Sequence, residues 1–226
     1  LTAANVYIRD TACGYDLTMD NGPAFGYMAS ATQTALPPWV RFTAAASQYA
    51  YYADDPQFDI IGNEVYVTSN ERGMALGCWV KLNSLGAVQG LLTKYTSAAV
   101  PANRSYALWI SAANQANFAI NDGAGGGIVS IADATVLTTG VWYFIVGVFD
   151  SGSYVRVYVD QSYGTNLTAF TSIVNSPTQF CMGAYGDPTN YLDGYISNAF
   201  ITQSWLSPAM VDALWQQTRV MYNRTG

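Results

Sequence analysis

The chain has 226 residues, of which 50% are hydrophobic and 11% charged, with a net charge of −6; a typical soluble domain carries roughly 25% charged residues. The surface must therefore be built largely from Ser, Thr, Asn, Gln, Ala and Tyr, which are cheap to desolvate against a partner. No basic run could neutralise phosphates, which excludes nucleic acid, and every apolar stretch is interrupted too early for a membrane-spanning helix.

In chain order, residues 1–38 are polar and turn-rich, with Asn21-Gly22-Pro23 as a turn signal, a short strand at 15–19, and Pro37-Pro38 as a stop to regular structure. Strands are predicted at 39–43, 48–52, 74–82, 88–95, 105–110 and 117–120. Residues 123–127 form a Gly-rich surface loop, because no Lys-Ser/Thr follows to make a phosphate cradle. Strands at 141–149 and 154–160 flank Asp150-Ser151-Gly152 as a hairpin, and two more close the series at 180–185 and 192–202. Val155, Val157 and Val159 share one strand face, opposite Tyr154, Arg156, Tyr158 and Asp160. A period of two puts the valines in the core. Trp142 to Phe149 is apolar on both faces and belongs at a sheet centre. One helix is predicted, with Ser207 as N-cap, Pro208 at its first position and Met210, Leu214 and Trp215 on its apolar stripe. Many strands and one late helix argue for two packed antiparallel sheets.

The three cysteines, Cys13, Cys78 and Cys181, show no CxxC spacing, and Cys78 and Cys181 sit in apolar runs, as buried free thiols do. Histidine is absent, which removes the commonest general base and transition-metal ligand. A glycosidase needs two carboxylates flanking the scissile bond, and Glu64 and Glu71, the two glutamates, lie in a turn-rich stretch. Asp54, Asp55 and Asp59 cluster, as do Asp10, Asp16 and Asp20. Such groups read either as solvated turn acids or, at Asp54 and Asp55, as ligands of a loop-bridging calcium ion. Asn103, Asn166 and Asn223 open N-glycosylation patterns that matter in a eukaryotic secretory setting.

Read in order, several segments resemble the laminin G-like jelly roll of the concanavalin A-like lectin and glucanase group. Residues 46–55 are similar to its early strand and small–Asp turn. Met74 to Leu82 resembles the strand ending in Trp-Val-Lys, and Leu91 to Tyr95 the following strand with its lysine. Trp142 to Asp150 and Val155 to Asp160 resemble the Trp-led strand and its partner. Met182-Gly183-Ala184 and Leu192 to Ile196 resemble the closing strands, and Leu206-Ser207 the ending. Residues 9–21 resemble openings of such domains in phage and bacterial surface proteins. The pattern departs at Gln161, where the family carries Gly, and at Ser197 and Asn198, where it carries an acidic pair. Relatives with a structural calcium often use a carboxylate near this closing strand.

The resemblance implies an all-β fold, a two-sheet antiparallel β-sandwich of the concanavalin A-like jelly-roll type with one short C-terminal helix. It implies a single laminin G-like domain over 1–226, with 1–38 an irregular segment integrated with the sandwich. It also implies a non-catalytic binding or assembly protein, extracellular or on a virion surface, in contact with glycans or neighbouring subunits, as a homo-oligomer or part of a larger assembly. The alternatives are a decoration or filament subunit without ligand, and an atypical glycoside hydrolase. With 17 Tyr and 6 Trp in the chain, sugar stacking on aromatic faces has ample material. Tyr95, Trp109, Tyr154, Arg156 and Tyr158 are the candidate sugar contacts, and Asp54 and Asp55 the candidate metal ligands.

Overall fold

The structure, a computed structural model, describes residues 7–8, 17–27, 38–59, 73–97, 101–122, 127–168 and 170–224. Its strands are β1 (Tyr7–Ile8), β2 (Leu17–Asp20), β3 (Ala24–Tyr27), β4 (Pro38–Phe42), β5 (Tyr49–Tyr52), β6 (Gly73–Leu82), β7 (Gln89–Tyr95) and β8 (Arg104–Ile110). They continue with β9 (Ala116–Asn121), β10 (Ile128–Ala132), β11 (Trp142–Asp150), β12 (Tyr154–Val159), β13 (Ser162–Leu167), β14 (Phe180–Met182) and β15 (Gly194–Thr202), followed by helix α1 (Pro208–Thr218). An eight-stranded sheet runs β1-β2-β5-β14-β7-β8-β9-β10, and a seven-stranded sheet runs β13-β12-β11-β6-β15-β4-β3. Neighbours are antiparallel throughout.

The two sheets face each other over one apolar interior. Leu76, Cys78, Val80, Ile145, Val155, Val157 and Val159 come from the seven-stranded sheet, and Leu92, Leu108, Phe118, Phe180 and Met182 from the other. The approach is close where Gly147 faces Phe118, whose ring a Cβ at 147 would strike. β6 and β11 are apolar on both faces for a second reason. Their outward residues Trp79, Phe144, Val146 and Val148 are covered by α1 and the turn after it, through Val211, Trp215 and Tyr222. Trp79 stacks on Tyr222 at 4.1 Å, and its Nε1 donates to Thr218 Oγ1 at 2.9 Å. Tyr222 also shares a 2.7 Å hydrogen bond with Ser197. Ser207 caps α1 by accepting from Met210 N.

The structure differs from the sequence reading at defined points. Pro38 does not stop regular structure; it is the first residue of β4, and the ladder with β15 begins only at Trp39. Met210 is 54% exposed, and the buried stripe of α1 is Val211 and Trp215. The short strand expected at 15–19 is seen as Leu17–Asp20. β1, β3, β10 and β13 are strands the sequence did not announce. β13 (SYGTNL) is largely exposed and lacks apolar alternation; its register comes from the tight Asp160-Gln161 turn, with Asp160 at φ 53. β10 and β13 close one flank of the sandwich through Asn166 Nδ2 to Ser130 O at 3.3 Å and Ser162 Oγ to Asp133 Oδ2 at 2.8 Å. Cys78 and Cys181 are buried free thiols, and burial pushes the Cys181 pKa up to about 12. Asp10, Cys13, Asp16, Glu64, Glu71 and residues 123–126 lie outside the described residues.

Candidate binding cleft

Period two on β5 sends Ala50 and Tyr52 to the core and Tyr49 and Tyr51 to the outer face of the eight-stranded sheet. In register, Tyr51 stands beside Cys181, and Cys181 beside Thr93. Two tall rings are thus followed by two small, buried side chains. The Tyr49 and Tyr51 ring centroids lie 5.6 Å apart and 31° out of parallel, and Tyr191 backs Tyr49 at 6.1 Å.

The opposite wall is the loop after β14. Gly183 turns the chain at φ 83, a left-handed value that favours glycine. The loop then doubles back over β7. Thr93 Oγ1 donates to Ala184 O at 2.8 Å, Gly186 N to Tyr95 O at 2.8 Å, and Gly90 N to Asn190 O at 2.8 Å. Gly90 has no side chain because the Ala184 backbone lies against it. Asp187 pins the loop tip. Its Oδ2 accepts from Ser97 N at 3.0 Å and Ser97 Oγ at 2.5 Å, and its Oδ1 from Thr189 Oγ1 at 3.0 Å. Burial alone would raise the Asp187 pKa, but the Ser97 and Thr189 hydrogen bonds outweigh it and hold the carboxyl below its ordinary value.

Between the walls lies a cavity of about 530 Å³, lined by Tyr49, Tyr51, Asp54, Thr96, Thr178 and Gln179 among others. Lys94 fastens its base. Its side chain is 0% exposed, and Nζ donates to Asp54 Oδ1 at 2.6 Å, to Thr178 O at 2.9 Å and to Ser176 O. Asp59 Oδ1 completes the cage at 3.1 Å. Of the two acids that the sequence offered to calcium, Asp54 thus pairs with an ammonium, which it shares with Asp59. Asp54 is committed to it, and among the described residues no group of three or more His, Cys, Asp or Glu could hold a metal ion. Asp55 stands beside this cage, with its backbone carbonyl accepting from Phe58 N at 3.0 Å.

The five candidate sugar contacts do not converge. Tyr95, on β7, sits edge-on to Tyr185 at 5.6 Å, with the Arg104 guanidinium 4.8 Å from its ring. Trp109 is half-buried on β8, paired with Gly90 and Asn117. Tyr154, Arg156 and Tyr158 stand on the outer face of the other sheet. There Arg156 lies 4.1 Å over the Tyr154 ring and 4.6 Å over that of Tyr163, and donates to Thr165 Oγ1 at 2.7 Å and Tyr158 OH at 3.0 Å. Tyr158 is only 4% exposed. These ring faces are already occupied by the guanidinium. The cleft residues Tyr51, Thr178 and Gln179 went unnoticed as site residues; the available signal was the alternating Tyr49-Ala50-Tyr51.

Solved structures share this architecture. The botulinum neurotoxin serotype G binding domain aligns with a TM-score of 0.58 at 14% identity, over 92% of this chain and 48% of that one. The botulinum neurotoxin serotype D ligand-binding domain, solved with N-acetylneuraminic acid, aligns at 0.55 and 10%, over 94% and 50%. A heptameric SAP-like pentraxin from Limulus polyphemus aligns at 0.51 and 12%, over 84% and 80%. The chain spans about half the length of the neurotoxin domains it matches, and at these identities the likeness is one of fold. No curated protein sequence matches the chain. The sequence profile of the concanavalin A-like lectin/glucanases superfamily matches residues 60–212. By that match, over more than half its length, the chain belongs to the concanavalin A-like lectin/glucanases superfamily.

Proposed function

We propose that residues 1–226 act as a single non-catalytic domain, displayed outside the cell or on a virion, that binds glycans in the Tyr49–Tyr51 cleft. The observation that carries this reading is a cavity of about 530 Å³ with a tyrosine pair on one side and Thr178, Gln179 and Thr96 within it. Ligand pockets fall in the range of about 300–1,000 Å³. A pyranose stacks its C–H face on an aromatic ring while its hydroxyls seek amide and hydroxyl partners. Superfamily membership supports the reading, as does the sialic acid bound by one fold neighbour. Tyr95, beside Thr96 and Gly186, borders the cleft in this reading; Trp109, Tyr154, Arg156 and Tyr158 stand apart from it.

Binding without hydrolysis is supported by the state of the nearby carboxylates. Asp54 is held by Lys94, and Asp187 by Ser97 and Thr189. Neither is placed as a free acid and base across a bond. The test is a glycan microarray with wild type and Tyr51→Ala. Bound glycans that Tyr51→Ala weakens roughly tenfold, about 1.4 kcal/mol, support the cleft. An empty array, or release of sugar from a bound glycan, overturns the proposal.

An assembly role has its own observation. On the edge strand β13, Leu167 is 79% exposed and Tyr163 55% exposed. Such an edge invites pairing with another copy. Light scattering that gives a multimer, reduced to monomer by Leu167→Asp, supports a decoration or filament subunit; a wild-type monomer removes it.

A further inference from the structure

The described cations are unevenly distributed between the two outer faces. Arg41 and Lys81 lie over the Tyr195 ring, Arg156 over Tyr154 and Arg219 over Trp215, while Arg224 pairs with Asp160. All of these rings belong to the aromatic layer outside the seven-stranded sheet. On the cleft side the described cations are Lys94 and Arg104. The three protons of Lys94 are spent on Asp54, Ser176 O and Thr178 O. Arg104 Nε and Nη2 donate to Thr96 O and Ser97 O at 3.1 and 2.9 Å, and its plane rests on Tyr95.

Three acids, in contrast, stand at or beside the cavity. Asp54 lines it, Asp187 lies between the lining residues Gly186 and Pro188, and Asp20 hydrogen-bonds the Tyr49 hydroxyl. A fork of charged donors strengthens recognition of a carboxylate or sulfate, and none of the lining residues is cationic. An anionic sugar would meet like charges there.

Resting on the glycan-binding reading, we infer that the cleft selects glycans free of carboxylate and sulfate groups, neutral or amino-bearing, and rejects sialylated and uronate-containing ones.

The test is a microarray carrying N-acetyllactosamine with its sialylated and sulfated forms, chitobiose with its de-acetylated form, and trigalacturonate with its methyl ester. Each set varies charge on a related scaffold. The expected result is binding confined to uncharged or amino-bearing members, with at least roughly tenfold discrimination against an acidic counterpart. Added salt should narrow that gap by screening. Tyr51-dependent binding of sialylated or uronate members overturns the charge inference and leaves the glycan reading standing. An empty array overturns the glycan reading and takes this inference with it.

Discussion

Lys94 combines a fully buried ammonium with two aspartates and two carbonyls drawn from separate segments. Removing one partner of such a buried set leaves the rest uncompensated, at a cost of about 3–5 kcal/mol. Lys94→Met should lower urea stability by that amount. The double variant Lys94→Met/Asp59→Asn should recover part of it, because one stranded charge is gone. The same cage should make glycan binding indifferent to chelators, since the ammonium already bridges these loops. Nothing in the order of residues announced it. Asp54, Asp55 and Asp59 were visible as acids close in sequence, but their counter-ion lies on β7 and the carbonyls some eighty residues further on. Tyr51 was equally plain as a strand tyrosine, yet its role depends on the small Cys181 beside it, which only strand pairing supplies.

Among elements, the helix and the loop after β14 invite separate measurements. Ser207→Ala removes the α1 cap and should cost about 1 kcal/mol. Tyr222→Ala, which empties the stack on Trp79, should cost about 3–5 kcal/mol, read in both cases by denaturant unfolding. The loop should respond to acid. The folded pKa of Asp187 is depressed, so its contribution is complete above the ordinary value of 3.8 and is lost as pH falls through the folded pKa. Hydrogen exchange at Tyr185 and Gly186 should quicken there once the intrinsic pH dependence is removed, and Asp187→Asn should abolish the transition. The central strands β6 and β11 were legible because both their faces are buried, which writes an unbroken apolar run into the chain. β12 was legible through its alternating valines. β10 and β13 were not, because edge strands keep their pairing by turns and neighbours and need no apolar code.

At the scale of the whole molecule, the two-sheet architecture was readable from many short strands, the single late helix and the resemblance taken together. The placement of charge was not. Composition gives 9 basic and 15 acidic residues but not the sheet on which each stands. The structure sets Arg41, Lys81, Arg156 and Arg219 against aromatic rings outside the seven-stranded sheet and leaves no cation among the residues that line the cleft. It also explains why half the chain is hydrophobic. Besides the interior between the sheets, a second apolar layer is needed where α1 covers the outer face of β6 and β11.

Cys78 and Cys181 together give the molecule a built-in clock. Each thiol is sealed on a different sheet, and burial keeps both protonated at neutral pH. In a Cys13→Ser background, a disulfide reagent can reach them only through openings of the fold. The Cys181 rate then times the opening of the sheet around β14 and the Cys78 rate the parting of the two layers, and equal rates would mean that both open in a single event.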